Sequence, residues 1–243
     1  MKKSFFTLAE LVMIVAALAI LSVLVLPGRA ADAAKNSSCA DNLRKIGQTM
    51  AQYAQTYDDF VPGLYQAPTV TAAEFRWSMT MAKFGGDPRP YCCPDSKAYA
   101  THGAKLAQYD SQTPRDSRNL FNFINAVSVG VNGFFGEMKQ FKAFEYSGRK
   151  LHNIVNAEKL SYAADVVGRD AKLYPGNAGQ TVGSYYGPRV VPTRGAAIDP
   201  RHESGANVLF ADGHADARSK ETLAQMCAAW GKAPNISFFL VNR

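Results

Sequence analysis

The chain, 243 residues long, lacks the short motifs that mark the common catalytic chemistries. It has no HExxH zinc helix, no glycine-rich phosphate loop and no serine-nucleophile motif, and these absences argue against an enzyme. No cofactor is expected either. A basic stripe is also missing: 27 Lys and Arg stand against 20 Asp and Glu, a net charge of +7, but they are dispersed and not interleaved with aromatic residues. A nucleic-acid partner is therefore not expected. Cysteine is scarce, and none of Cys39, Cys92, Cys93 and Cys227 falls in a C-x-x-C pair of the zinc or redox type. In an exported domain two disulfides would fit the oxidising surroundings, with buried free thiols as the alternative. Adjacent Cys92 and Cys93 are poor partners for each other, because disulfide geometry resists so short a loop, so each needs a distant partner.

One long apolar run is present, Phe5 to Leu26, broken only by Thr7, Glu10 and Ser22 and preceded by Lys2 and Lys3. At 1.5 Å per helical residue it is long enough to cross a bilayer, with the lysines on the cytoplasmic side. A cleaved signal peptide is the first competitor, since Ala31-Asp32-Ala33 offers an A-x-A-like site. Its apolar region would be too long, and Glu10 would suit it poorly. A carboxylate in hydrocarbon costs free energy and calls for a role.

Beyond Pro27 and Gly28 a helical pattern resumes. Leu43, Ile46, Met50, Tyr53 and Tyr57 recur at spacings of three and four, while Asp41, Arg44, Lys45, Gln48 and Gln52 take the other face. The expectation is one spine from Thr7 to Tyr57, roughly 75 Å long and kinked at Pro27. Two helices with a hinge near Gly28 are the alternative.

The stretch Phe6-Thr7-Leu8-Ala9-Glu10-Leu11, with its aliphatic continuation to Pro27, resembles the cleavage and methylation segment of type IV prepilins and type II secretion pseudopilins. That resemblance implies removal of a basic leader (1–5) by a prepilin peptidase and N-methyltransferase, with Phe6 as the new methylated N-terminus. It also implies that Glu10 faces the amine of a neighbouring Phe6 in a filament, so that two buried charges compensate each other. The family usually has Gly where this chain has Phe5 and Ile where it has Ala9, which leaves a cut after Ser4 as an alternative. Cys39-Ala40-Asp41-Asn42-Leu43-Arg44-Lys45-Ile46-Gly47 and Cys93-Pro94 are similar to stretches of one prepilin-like subgroup. The likeness implies a Cys39–Cys93 bond from spine to domain, leaving Cys92 for Cys227. His202, followed after nine residues by Asp212-Gly213, resembles the processing-associated signature of the same subgroup.

Within the domain, Thr71-Ala-Ala-Glu74 reads as a capping box before a short helix that stops at Gly85-Gly86. Pro88, Pro90 and Pro94 make the segment around Tyr91-Cys92-Cys93 a loop or an edge. Leu160–Val167 and Asn207–Ala211 read as strands, and Asp212-Gly213 as the tight turn of a hairpin. Tyr174 to Pro200, rich in Gly and Pro, reads as a long surface excursion. Ser219 can cap a helix that places Leu223, Cys227 and Trp230 on one face, and Ile236–Val241 reads as a final strand. His202, Asp212 and His214 are candidate metal ligands, but the turn already explains Asp212, and a hydrogen-bonded core histidine explains His202. No metal is expected.

The expected fold is α+β and pilin-like: a long N-terminal spine helix, half transmembrane and half amphipathic, packed on an antiparallel sheet with long Gly/Pro-rich loops. Its parts are a leader (1–5), a transmembrane helix (6–28), an amphipathic continuation (29–58) and an extracytoplasmic domain (59–243). The expected function is that of a structural subunit of a type II secretion or type IV pilus-like assembly. It would be anchored once in the inner membrane, with its domain in the periplasm or outside the cell. Implied partners are other pseudopilin subunits, the inner-membrane assembly platform and the peptidase. A non-polymerising anchored binding module and a metal-dependent envelope enzyme using His202 and Asp212 are the alternatives.

Overall fold

The structure, a computed structural model, describes residues 7–62, 77–96, 99–100, 127–132, 150–154, 156–166, 185–186, 198–203 and 205–229, with backbone alone at 22–29, 132, 185–186 and 226–229. The expected leader, the expected Thr71–Glu74 capping box, Trp230 and the expected C-terminal strand lie outside these residues, as do Phe5 and Phe6, the expected scissile and methylation positions.

A single helix, α1 (Leu8–Thr56, 49 residues), runs through Pro27 and Gly28. It starts where it does because Thr7 and Glu10 form a capping box: Thr7 Oγ1 accepts from Glu10 N at 3.3 Å, and Glu10 Oε2 accepts from Thr7 N at 2.8 Å. It ends where Asp58 and Asp59 adopt positive φ (52° and 68°) and the Asp59 N–H turns back to Ala54 O at 2.7 Å. Short polar side chains tolerate that left-handed backbone better than most. The described apolar side chains of its first turns run only from Leu8 to Leu21, and among the described residues no helix is long and apolar enough to cross a membrane.

The second half of α1 is docked. Cys39, Leu43, Ile46, Met50 and Ala54, spaced by three or four, form its buried stripe, each at most 2% exposed. Tyr53 is half-buried against Phe84, whereas Tyr57 is exposed, so the apolar stripe turns slightly away from the one the sequence suggests. Leu43, Ile46 and Met50 each contribute about 1.5–3 kcal/mol by burial.

The helix lies on a five-stranded sheet in the order β3-β1-β2-β4-β5, made of β1 (Val129–Asn132), β2 (Ser161–Asp165), β3 (Tyr185–Tyr186), β4 (Ala206–Phe210) and β5 (Ala215–Arg218). The pairs β1–β2, β2–β4 and β4–β5 are antiparallel, and only β1–β3 is parallel. The described chain is therefore an α+β structure. Every residue of β2 and β4 is buried, which fits central strands covered on both sides, while no residue of the edge strand β5 is buried. Helix α2 (Trp77–Gly85) buries Trp77, Met79 and Met81 beside α1. Trp77 meets Tyr91 and Tyr162 edge to face, with ring centroids 5.5 and 6.2 Å apart. A last helix, α3 (Lys220–Ala229), begins where Ser219 Oγ accepts from Thr222 N at 3.2 Å.

The expected excursion Tyr174–Pro200 is described only at 185–186 and 198–200. It supplies edge strand β3, and Ile198, wholly buried, bridges to Val166. Strand β1 is not legible in the sequence, since four residues interrupted by Gly130 leave too short a pattern.

Candidate functional site

Four side chains from four elements converge beneath the spine. Cys39 comes from the buried stripe of α1, and Cys93 follows a single 3-10 turn (Arg89–Tyr91) set up by Pro88 and Pro90. Asp165 ends β2, and His202 precedes β4. Cys39 and Cys93 are joined in a disulfide with a Cα–Cα separation of 5.3 Å, which ties the spine to the domain across 54 residues. Cys92, in extended backbone, points its side chain the opposite way from Cys93. It is a free thiol in the core, so the expected bond to Cys227 is not made. Burial, helped by the negative charge of Asp87, pushes that thiol far up and keeps it protonated. The side chain of Cys227 lies outside the described residues.

His202 is placed by a tight backbone loop. Its N–H donates to Gly205 O at 3.0 Å, and Gly205 N–H returns to His202 O at 2.8 Å. Gly205 has φ +116°, and a Cβ there would fall 2.0 Å from Arg218 O, so no other residue fits. The imidazole, 1% exposed, holds Nε2 3.2 Å from Asp165 Oδ2 and 3.6 Å from Cys93 Sγ. On its other edge Nδ1 is 3.8 Å from Asp95 Oδ2. Asp165 Oδ2 also accepts from Asn207 N at 3.0 Å, whereas its Oδ1 is buried with no hydrogen-bond partner among the described residues. The ligand-type atoms of Cys39, Cys93, Asp165 and His202 all lie within 4.8 Å of one another.

His202 also borders a cleft of about 300 Å³ with Asp32, Asp95, Arg201 and Glu203. Lys35 reaches Asp95 at 3.2 Å, and this contact raises the lysine pKa. Arg201 is anchored to Asp199 at 2.9 Å and to the Val166 carbonyl. Polar ties therefore run from α1 to the mouth of the cleft and to β4, where Asn207 Nδ2 donates to Asn36 Oδ1 at 3.0 Å.

The other half of the His-x9-Asp-Gly signature lies at the far end of β4. Asp212 Oδ1 accepts from His214 N at 3.1 Å and also meets His214 Nδ1, and Gly213 has φ +93°. His202 and Asp212 do not pair, because they stand at opposite ends of β4; Asp165 is the carboxylate beside His202. His214 stacks on Phe210 with centroids 4.3 Å apart and stays solvated beside exposed Asp216. The nine intervening residues thus supply one short loop and one strand, and each end touches the spine. One end meets Cys39 through Cys93; at the other, a Cβ on Gly47 would lie 2.8 Å from Gly213 O. Cys39 and Gly47 are about 12 Å apart along the helix. Asp165 escaped sequence reading, and its only signal was an acid at the end of an apolar strand.

No family model matches the chain, and neither does any curated protein or any solved structure.

Proposed function

We propose that the chain is a membrane-anchored, pilin-like structural subunit of a type II secretion or type IV pilus-like assembly, with its leader removed and its new N-terminus methylated. The observation that carries this reading is the split character of α1. From Cys39 onward its apolar stripe is spent on the domain, whereas Leu8, Val12, Met13, Leu18 and Ile20, each at least 60% exposed, have no covering element within the described chain. So much apolar surface on one helix needs lipid or neighbouring helices. In sequence the run continues through Val23-Leu24-Val25-Leu26, and with it the stretch reaches membrane-spanning length.

Glu10 has two parts in this reading. Within its own chain it completes the capping box with Thr7; in an assembly it would receive the amine of a neighbour's Phe6. Glu10→Gln separates the two, because Gln can also serve at the third position of a capping box but carries no charge. The variant should insert in the membrane like the wild type yet lose crosslinks between subunits. Undiminished crosslinking would defeat the filament reading and favour an anchored module that does not polymerise.

A further inference from the structure

We propose that the Cys39–Cys93 pair, once reduced, joins His202 and Asp165 in binding one thiophilic divalent cation, zinc above all, in the interior of the domain. The spine would then be held to the domain by a disulfide in one redox state and by a metal in the other. The site lies in the folded domain, so this inference holds whether or not the chain assembles into filaments.

The donor types come first. Two thiolates, one imidazole and one carboxylate make a tetrahedral set of the kind zinc takes. The spacing agrees. With metal–sulfur bonds of about 2.3 Å and metal–nitrogen or metal–oxygen bonds of about 2.0–2.1 Å, a tetrahedron has N···O edges of about 3.3 Å and N···S edges of about 3.6 Å. His202 Nε2 stands 3.2 Å from Asp165 Oδ2 and 3.6 Å from Cys93 Sγ. The remaining donor–donor distances all lie within 4.8 Å, and breaking the disulfide opens the sulfur–sulfur edge.

An independent observation points the same way. Asp165 Oδ1 is buried with no hydrogen-bond partner among the described residues, on a carboxylate whose other oxygen is held by Asn207 N. A buried carboxylate oxygen left so is costly, and a cation held by this carboxylate would offset part of that cost. Asp95 Oδ2 stands 3.8 Å from His202 Nδ1, longer than a hydrogen bond but on the side where a carboxylate commonly orients a metal-bound histidine. Cys39 and Asp165 sit in regular elements, His202 sits in the tight His202–Gly205 loop, and Cys93 is fixed after its 3-10 turn by its N–H donating to Ser128 Oγ at 2.7 Å, so the set is largely held in place before any ion arrives.

The chemistry balances in two steps. A dithiol reductant passes two electrons and two protons to the Cys39–Cys93 bond and becomes a disulfide itself. Zinc then displaces both thiol protons and undergoes no redox change of its own.

The test uses the full chain in detergent, reduced with a phosphine under inert gas and compared with the unreduced protein. The reduced chain should take up one equivalent of zinc in competition with a chromophoric chelator. With cobalt in place of zinc it should show thiolate-to-metal charge transfer and the intense visible bands of a tetrahedral site. The unreduced chain should show neither. His202→Gln should weaken zinc binding by about tenfold or more, whereas His214→Gln, at an exposed histidine, should not change it. Failure of the reduced wild-type chain to bind zinc, a cobalt spectrum without sulfur bands, or equal binding by the disulfide form would each overturn the proposal. These measurements need only the wild-type protein, so a variant that does not fold leaves the outcome decided.

Discussion

His202 Nε2 and Asp165 Oδ2 face each other at 3.2 Å, with both side chains 1% exposed. A buried pair of this kind is costly to break from one side, because the partner left behind loses its hydrogen bond and stays out of water. Asp165→Ala, which also strips Asn207 N of its acceptor, should destabilise the fold by about 3–5 kcal/mol. Asp165→Asn keeps an acceptor for Asn207 N and should cost less. Urea unfolding of the two variants against wild type measures the difference.

The close approach of Gly47 to Gly213 predicts a steric dependence. A Cβ at Gly47 would stand 2.8 Å from the Gly213 carbonyl and 2.9 Å from the tip of Leu209. Ala is a better helix former than Gly by about 1 kcal/mol, so Gly47→Ala opposes that gain to the contact with backbone. We expect the contact to win and the net loss to be about 1–2 kcal/mol, with Gly47→Val worse. Thermal unfolding of the two variants should rank them in that order.

The disulfide closes a long loop, since its cysteines are 54 residues apart. On the chain-entropy account a loop of that length stabilises by at most about 4 kcal/mol. Cys39→Ser with Cys93→Ser should therefore lower stability by about 2–4 kcal/mol in metal-free buffer. The docked half of α1 should then be the first region to gain amide exchange, because it is otherwise held by side-chain packing and by the few polar ties at Lys35 and Asn36.

Acid should weaken the approach to Cys93. The side-chain hydrogen bond from Arg89 lowers the Asp87 pKa below its ordinary 3.8, against a smaller opposing effect of burial. Asp87 Oδ1 also accepts from Arg89 N at 3.0 Å and so fixes the start of the 3-10 turn. A depressed carboxylate stabilises the fold fully above its unfolded pKa and loses that contribution as pH falls through the folded value. The gap in stability between wild type and Asp87→Asn should thus be constant near neutrality and close progressively below pH 3.8. Denaturation followed across that range checks the sign. The magnitude should be small, because the Asp87–Arg89 pair is partly exposed.

The docked half of α1, the strands β2 and β4 and the Asp212-Gly213 turn were legible in the sequence because each is written in local periodicity or turn chemistry. Leu43, Ile46 and Met50 declare a helix face whatever it packs against, and Gly213 accepts positive φ whatever follows it. The Cys39–Cys93 link was suggested only by likeness to a family, since cysteine spacing does not select a partner.

What the tertiary structure decided is which distant residues meet. Asp165 reaches His202 only because β2 and β4 are neighbours, although their sequences are separated by the Gly- and Pro-rich excursion. Cys92 stays a thiol while Cys93 bonds because extended backbone turns adjacent side chains to opposite sides, one into the core and one toward the spine. Local patterns determine which segments become helix or strand. Convergence of Cys39, Cys93, Asp165 and His202 depends on sheet order and on where the helix rests, and those are set by packing over the whole domain.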